Sequence, residues 1–284
     1  MKTSKKPARA LGSVLALFIL AAAGHSAWAD ETTTLSLAGV WKFRLDAGDV
    51  GVQEKWFAQV FDETVHLPGT TDTNHKGVFK DERAIDRLSR VWYWKGPAWY
   101  QREVVMPDSW KGKRVSLLLE RTKTTRVWVD DKDCGVEDTL SAPQIFDVTH
   151  ALTPGRHTIT VLVDNAKLPP VGPSHAVDER TQSNWNGIIG KMELCATDPV
   201  WLEDVQVYPD VDNRQATVRA VMGNITGKAA SGRIEISGKS WNVPASVTFP
   251  PQATDIKAPK ERNEITFTYK LGHDVPLWDE FNPA

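Results

Sequence analysis

The chain has 284 residues, 34 Lys and Arg against 36 Asp and Glu, a formal net charge of -2, and 41% apolar residues. That length accommodates about two domains of sandwich size, with apolar material for two cores. The near balance of charge, without a Lys or Arg run beyond the N-terminus, excludes an electrostatic nucleic-acid footprint and points to neutral or mixed-charge partners.

Residues 1–29 have the layout of an export signal. Lys2, Lys5, Lys6 and Arg9 precede an apolar run from Leu11 to Gly24, and Ala27-Trp28-Ala29 offers a small-x-small cleavage site before Asp30. The run is short for a membrane span, so no stable membrane insertion is expected after cleavage, and the mature chain is expected in a periplasm or the medium. An uncleaved anchor is the alternative. A lipid anchor is not expected, because no cysteine stands near the site.

Strand patterns then follow one another closely. Gly39 to Leu45 comes first, then a single helical turn around Glu54 to Phe57, and Thr64 to Leu67, which ends at Pro68-Gly69. Tyr100 to Val105 stops at Met106-Pro107-Asp108, and Arg114 to Glu120 places Val115, Leu117 and Leu119 on one face by the period of two. Arg126 to Val129 runs into a turn from Asp130 to Gly135, and Thr153-Pro-Gly155 separates Ile145 to Val148 from His157 to Val163. Beyond a boundary near Ala196-Thr-Asp-Pro199, Leu202 to Tyr208 opens a second set. There Val218, Ala220 and Met222 alternate with Thr217 and Arg219, and strands follow at Gly232 to Ser237, Ala245 to Phe249 and Glu264 to Tyr269. Repeated short strands of this kind describe two-layer sandwiches.

Two polar stretches exceed ordinary strand connections. Thr70 to Arg90 reads as structureless, and Ala166 to Trp185 holds three prolines. Loops beyond about 12 to 15 residues are commonly functional or disordered, so both are site candidates. Trp92, Trp94 and Trp185 lie in or beside them, and ligand stacking and loop packing are equally open for these rings. Trp41, Trp128 and Trp201 read as core. Ser183-Asn-Trp-Asn186 combines a stacking ring with amides able to fork to sugar hydroxyls. The candidate binding residues are therefore Asn184, Trp185, Asn186 and Trp94.

Other features carry plainer readings. Cys134 and Cys195 either form one disulfide or remain separate thiols, and their spacing does not suit zinc. Asp130, Asp131 and Asp133 read as a solvated turn in preference to a calcium site. No cofactor and no metal are expected.

The order Gly39-Val-Trp-Lys-Phe, Leu67-Pro-Gly-Thr, Trp99-Tyr-Gln-Arg-Glu-Val, Arg126-Val-Trp-Val-Asp130, Phe146-Asp-Val-Thr149, Pro154 to Asn165, and Trp185-Asn-Gly-Ile-Ile-Gly-Lys-Met-Glu-Leu194 resembles the N-terminal sugar-binding jelly roll of glycoside hydrolase family 2. That family includes β-galactosidases, β-glucuronidases and β-mannosidases. Residues 200 to 284 are similar to the immunoglobulin-like domain that follows in those enzymes.

The resemblance implies an all-β fold. A galactose-binding-like jelly-roll β-sandwich over residues 30–196 would precede an incomplete immunoglobulin-like β-sandwich over 197–284, with a bare edge where its closing strand is missing. It further implies a carbohydrate partner carrying a terminal β-linked sugar. In the family, first-domain loops reach the catalytic pocket of a barrel that supplies both catalytic carboxylates, so no catalytic residue is expected in this chain. Asn263-Glu264, which looks like the family's acid/base pair, instead opens a strand of the second sandwich. Gly190-Lys191 departs from the more usual Arg-Pro. A stand-alone carbohydrate-binding module, or a structural or adhesion module, is the alternative. Oligomeric state is left open.

Overall fold

A computed structural model describes residues 33–81, 90–168, 184–240, 247–260 and 262–273, with single positions at 85, 275, 277, 280 and 281. The export segment, the middles of both long loops and Ser183 lie outside the described residues. The strands in chain order are β1 (Thr33–Ser36), β2 (Gly39–Leu45), β3 (Glu63–Leu67), β4 (Gly69–Thr70), β5 (Val78–Phe79), β6 (Trp92–Tyr93), β7 (Pro97–Met106), β8 (Arg114–Arg121) and β9 (Thr124–Val129). They continue as β10 (Lys132–Glu137), β11 (Gln144–Asp147), β12 (Gly155–Asp164), β13 (Gly187–Thr197), β14 (Val200–Asp210), β15 (Gln215–Asn224), β16 (Ala230–Lys239), β17 (Thr248–Ala258) and β18 (Asn263–Lys270). The described helical segments are two three-residue 3₁₀ turns, Trp56–Ala58 and Asp108–Trp110. The fold is all-β.

Residues up to Thr197 build a sandwich. One sheet runs β1-β13-β8-β11 with β4 attached to β13, and the other runs β10-β9-β12-β7-β2-β3. Every pairing is antiparallel, and the ten-residue ladder from Pro97 opposite Asp164 to Met106 opposite Gly155 forms the middle of the larger sheet. Alternation places Val115, Leu117 and Leu119 inside, against Trp41, Phe43, Tyr100 and Val161.

The outer face of the larger sheet is also apolar, and residues 46–61 cover it. Trp99, Trp128 and Leu162 point away from the main core and are buried by Trp56, Phe57 and Phe61. Phe57, Trp128 and Trp99 stack in turn, each adjacent pair 5.2 Å apart, and Arg44 caps Trp56 at 3.5 Å. Trp128 is thus core, as its strand position indicates, but of a second cluster. The buried Asp46 carboxylate fixes the cover. It accepts from the backbone N–H groups of Val50 (2.9 Å) and Gly51 (2.8 Å), and from the Trp99 indole (3.1 Å).

Residues from Val200 onward form a three-stranded sheet, β14-β15-β18, and a two-stranded sheet, β16-β17. Ala216, Val218, Ala220 and Met222 are buried along one face of β15, as their alternation predicts. The two parts touch where Arg114 lies 4.4 Å from the Trp201 ring centre and the Ile225 amide donates to the Pro199 carbonyl.

Several boundaries differ from the sequence reading. The turn expected over 130–135 is confined to Asp130-Asp131, where Asp130 adopts φ 54°; β10 starts at Lys132, a polar edge strand without apolar alternation. The strand expected at 245–249 has its first residues outside the described set. It runs on as β17 through Pro250-Pro251, which a register shift between Phe249 and Gln252 removes from the ladder. The stretch 70–90, expected to lack structure, contributes β5, which pairs with β6 just beyond it, Val78 opposite Tyr93 and Phe79 opposite Trp92.

Asp46→Ala is expected to cost about 2–4 kcal/mol in urea unfolding, because two buried donors and one part-buried donor lose their acceptor. Gly51→Ala should cost about 1–3 kcal/mol, since an added Cβ would lie 2.6 Å from the Trp99 indole nitrogen.

Candidate functional site

Both long loops leave and rejoin the sandwich at one end. There β7 begins opposite the end of β12, and Gly187 of β13 pairs with Thr70. Four loop ends therefore converge, and each brings backbone polar groups that need partners. Two asparagines supply them. Asn165 Oδ1 accepts from the Gly96 N–H (2.9 Å), while its amide nitrogen donates to the carbonyls of Trp94 (3.0 Å) and Asn184 (3.4 Å). Asn186 Nδ2 donates to the carbonyls of Gly96 and Val163, both at 2.9 Å, and its Oδ1 accepts from the Tyr100 hydroxyl at 2.8 Å. Burial pushes the Tyr100 phenol far above its ordinary pKa, so it stays a donor. The Asn186 carbonyl takes the Thr71 N–H (2.8 Å), and Asn184 Nδ2 returns a bond to the Asn165 carbonyl (2.6 Å).

This placement changes the roles of two candidates. Asn184 is 2% exposed and Asn186 is 0% exposed. Their side-chain amides bond to backbone and to Tyr100, in place of presenting a fork to solvent. Trp94 packs against the main core and donates through its indole to the Gly96 carbonyl at 3.1 Å. Trp185 is partly exposed, with the Lys123 ammonium 4.5 Å from its ring centre. All four residues meet at this end, with Trp185 and part of Trp94 facing outward.

The β5–β6 hairpin stands beside them and carries Trp92, one of the rings open to stacking or packing, together with Phe79 and Tyr93, which the sequence reading did not single out. Trp92 lies between His75 (5.7 Å) and Phe79 (5.4 Å, edge on), and its backbone N–H is held by the Asp72 carboxylate at 2.7 Å. Phe79 is 56% exposed. On the hairpin's other face, Tyr93 has Lys80 at 4.3 Å and Arg90 at 5.9 Å. The signal available in the sequence was the close run of Trp92, Tyr93 and Trp94 after an aromatic-poor loop. Such a rim can stack a sugar face and hold an anionic or hydroxyl-rich group near cations. It cannot perform acid/base cleavage of a glycosidic bond without a carboxyl pair aimed at that bond.

The aspartates of the β9–β10 turn are used internally. Asp130 bonds the His157 Nδ1 (2.7 Å) and the Thr158 N–H (2.8 Å), and Asp133 pairs with Arg126. Among the described residues, no three His, Cys, Asp or Glu side chains converge as metal ligands. Both cysteines are free thiols, in strands of different sheets, and burial pushes Cys134 up to about 11.

Comparison with known proteins decides the family. The sequence model described as "Glycosyl hydrolases family 2, sugar binding domain" matches residues 34–198. The chain belongs to glycoside hydrolase family 2. Among curated relatives, a β-glucuronidase of Paenibacillus borealis is 24% identical over 200 residues, covering 64% of this chain and 32% of the relative. The human β-glucuronidase is 23% identical over 213 residues, covering 64% and 31%. The chain thus spans about a third of the length of the curated relatives it matches. Among solved structures, Bacteroides uniformis β-glucuronidase 2 superimposes with a TM-score of 0.61 at 20% identity, over 83% of this chain and 27% of that one.

Most of the motifs that carry the family 2 resemblance are folding devices. Trp99 holds Asp46, Tyr100 holds Asn186, and Arg102 donates to the carbonyls of Leu37 and Ala38, both at 2.8 Å. The departure at Gly190-Lys191 also has a structural role here. It sits at a bulge between Ile189 and Met192, Gly190 has φ 77°, and the Lys191 N–H donates to the Glu120 carboxylate at 2.6 Å. Proline at 191 would have no N–H to give.

Asn186→Ala is expected to lower stability by about 2–4 kcal/mol in chemical denaturation, through unpartnered buried groups at Gly96, Val163 and Tyr100. The Asp130 carboxyl supplies a pH test. Burial alone would raise its pKa, but hydrogen bonds from His157 and the Thr158 amide hold it below the ordinary aspartate value. Its contribution is therefore present above the unfolded-state pKa and lost as pH falls through the lower folded value. Asp130→Asn should shrink the stability difference between neutral and acid pH, and solvent exposure of the carboxylate keeps the effect small.

Proposed function

We propose that this chain is the exported, sugar-binding N-terminal part of a family 2 glycosidase acting on terminal β-linked sugars. The names of its relatives point to β-glucuronides as the substrate class. The carrying observation is the family match over 34–198, combined with loop ends that side-chain bonds of Asn165, Asn184, Asn186 and Tyr100 hold in one arrangement. On this reading, Trp185 offers the contact surface, Asn184 and Asn186 set its position, and Trp94 packs beneath. The two catalytic carboxyl groups, which a retaining or inverting mechanism needs about 5 to 9.5 Å apart, come from polypeptide outside these residues. The basic, apolar and small-x-small succession of residues 1–29 supports export to a periplasm or the medium.

One observation favours a second reading as a self-sufficient carbohydrate-binding module: the exposed Phe79 beside Trp92 gives a stacking surface without help from another domain.

Purified chain is expected to release no chromophore from 4-nitrophenyl β-glucuronide or β-galactoside. Monosaccharide release by a preparation free of contaminating hydrolases would defeat the proposal. In an enzyme that includes the catalytic part, Trp185→Ala should lower kcat/KM roughly tenfold, about 1.4 kcal/mol; an unchanged value would remove Trp185 from the site. Replacing both Asn184 and Asn186 with Ala should weaken sugar binding in the same enzyme, and unchanged affinity would reject their positioning role. Calorimetric titration of the isolated chain with oligosaccharides separates the two readings, since micromolar affinity without a partner favours the module.

A further inference from the structure

Thr122 and Lys123 connect β8 to β9, and with Thr124, the first residue of β9, they touch both ends of the long loop that leads to Trp185. The Thr122 hydroxyl donates to the Gly187 carbonyl (2.9 Å) at the far end of the loop, and the Thr124 hydroxyl donates to the Lys167 carbonyl at its near end. Lys123 stands between these two anchors. Its carbonyl accepts from Gln144 Nε2 (2.8 Å) and from the Thr125 hydroxyl (3.0 Å), which fixes the backbone from which its side chain projects. That side chain goes inward: Lys123 is 2% exposed, and its ammonium lies over the Trp185 ring, 4.5 Å from the centre. A buried lysine is uncommon, because the ammonium gives up its hydration, and a ring face returns part of the loss through its quadrupole. Across the contact, the amides of Asn184 and Asn186 hold the chain on either flank of Trp185. Both partners are therefore pinned at their backbones.

We propose that Lys123 is a positioning residue for Trp185, its ammonium holding the indole in one orientation and leaving the outer part of the ring for the ligand; this rests on the reading of Trp185 as the sugar contact. A ring at the end of a loop has several staggered wells open to it. A cation over one face favours the wells that keep that face on the ammonium. A ring ordered before binding loses less entropy when a sugar stacks on it, so the benefit falls on affinity. Lys123 is buried and acts through the ring, not on the sugar. Thr122 and Thr124 already tie the loop ends. Removing the Lys123 charge therefore leaves the loop attached and frees the ring alone.

The test has a structural and a kinetic arm. In the 284-residue chain, the Trp185 indole N–H resonance is identified by its loss in Trp185→Ala, and its order parameter is measured. Lys123→Met and Lys123→Gln should lower that order parameter, whereas Lys123→Arg, which keeps a cation, should preserve it. In an enzyme that includes the catalytic part, Lys123→Gln should raise KM about three- to fivefold with kcat within about twofold, and Lys123→Arg should restore most of the loss. Lys123→Gln added to Trp185→Ala should change nothing further. Glutamine keeps length and polarity, so it carries the test even where the methionine variant fails to fold. An unchanged order parameter in the uncharged variants overturns the proposal. So does an arginine variant no better than glutamine, or an equal loss of kcat/KM when Trp185 is already gone, because Lys123 would then act on something else. Unchanged kinetics in Trp185→Ala alone defeat the contact reading instead, and the order parameter still decides whether Lys123 fixes the ring.

Discussion

Four chain segments must meet at one end of the first sandwich, and buried amides tie them there. Asn165 and Asn186 each bond to segments far from them in sequence, and Tyr100 reaches from the core to complete the set. Backbone groups at loop ends cannot use the sheet ladder, and burial denies them water. Side-chain amides solve this because each offers two donors and an acceptor in a plane. The outcome is a rim whose loop ends are tied to common anchor points.

The same logic governs the far face of the larger sheet. A sandwich ordinarily leaves that face to solvent, but Trp99, Trp128 and Leu162 make it apolar. Residues 46–61 close over it under the control of one carboxylate. With one face committed to the core and the other to this cover, the larger sheet has its strand ends left to meet the loops. That is where the aromatic hairpin and Trp185 lie.

Much of this was legible in the chain itself. Period-two alternation located Val115, Leu117 and Leu119, and the order of short motifs identified the family. The misread parts share a cause, which is dependence on distant partners. Asn184 and Asn186 looked available because an amide in an irregular loop carries no mark of burial, and only the convergence of loop ends shows that their bonds go inward. β10 lacks apolar alternation because it is an edge strand, and β17 hides behind two prolines. The hairpin at 78–93 is two residues per strand, too short to register as a periodic signal.

Pro250 and Pro251 have one more effect. A strand edge left without a neighbour is a template on which other molecules can polymerise, since each unpaired N–H invites a carbonyl from outside. Two adjacent imino nitrogens interrupt that row in β17 and displace it from register. Two consecutive residues without an N–H therefore make this stretch of β17 a poor template for an incoming strand.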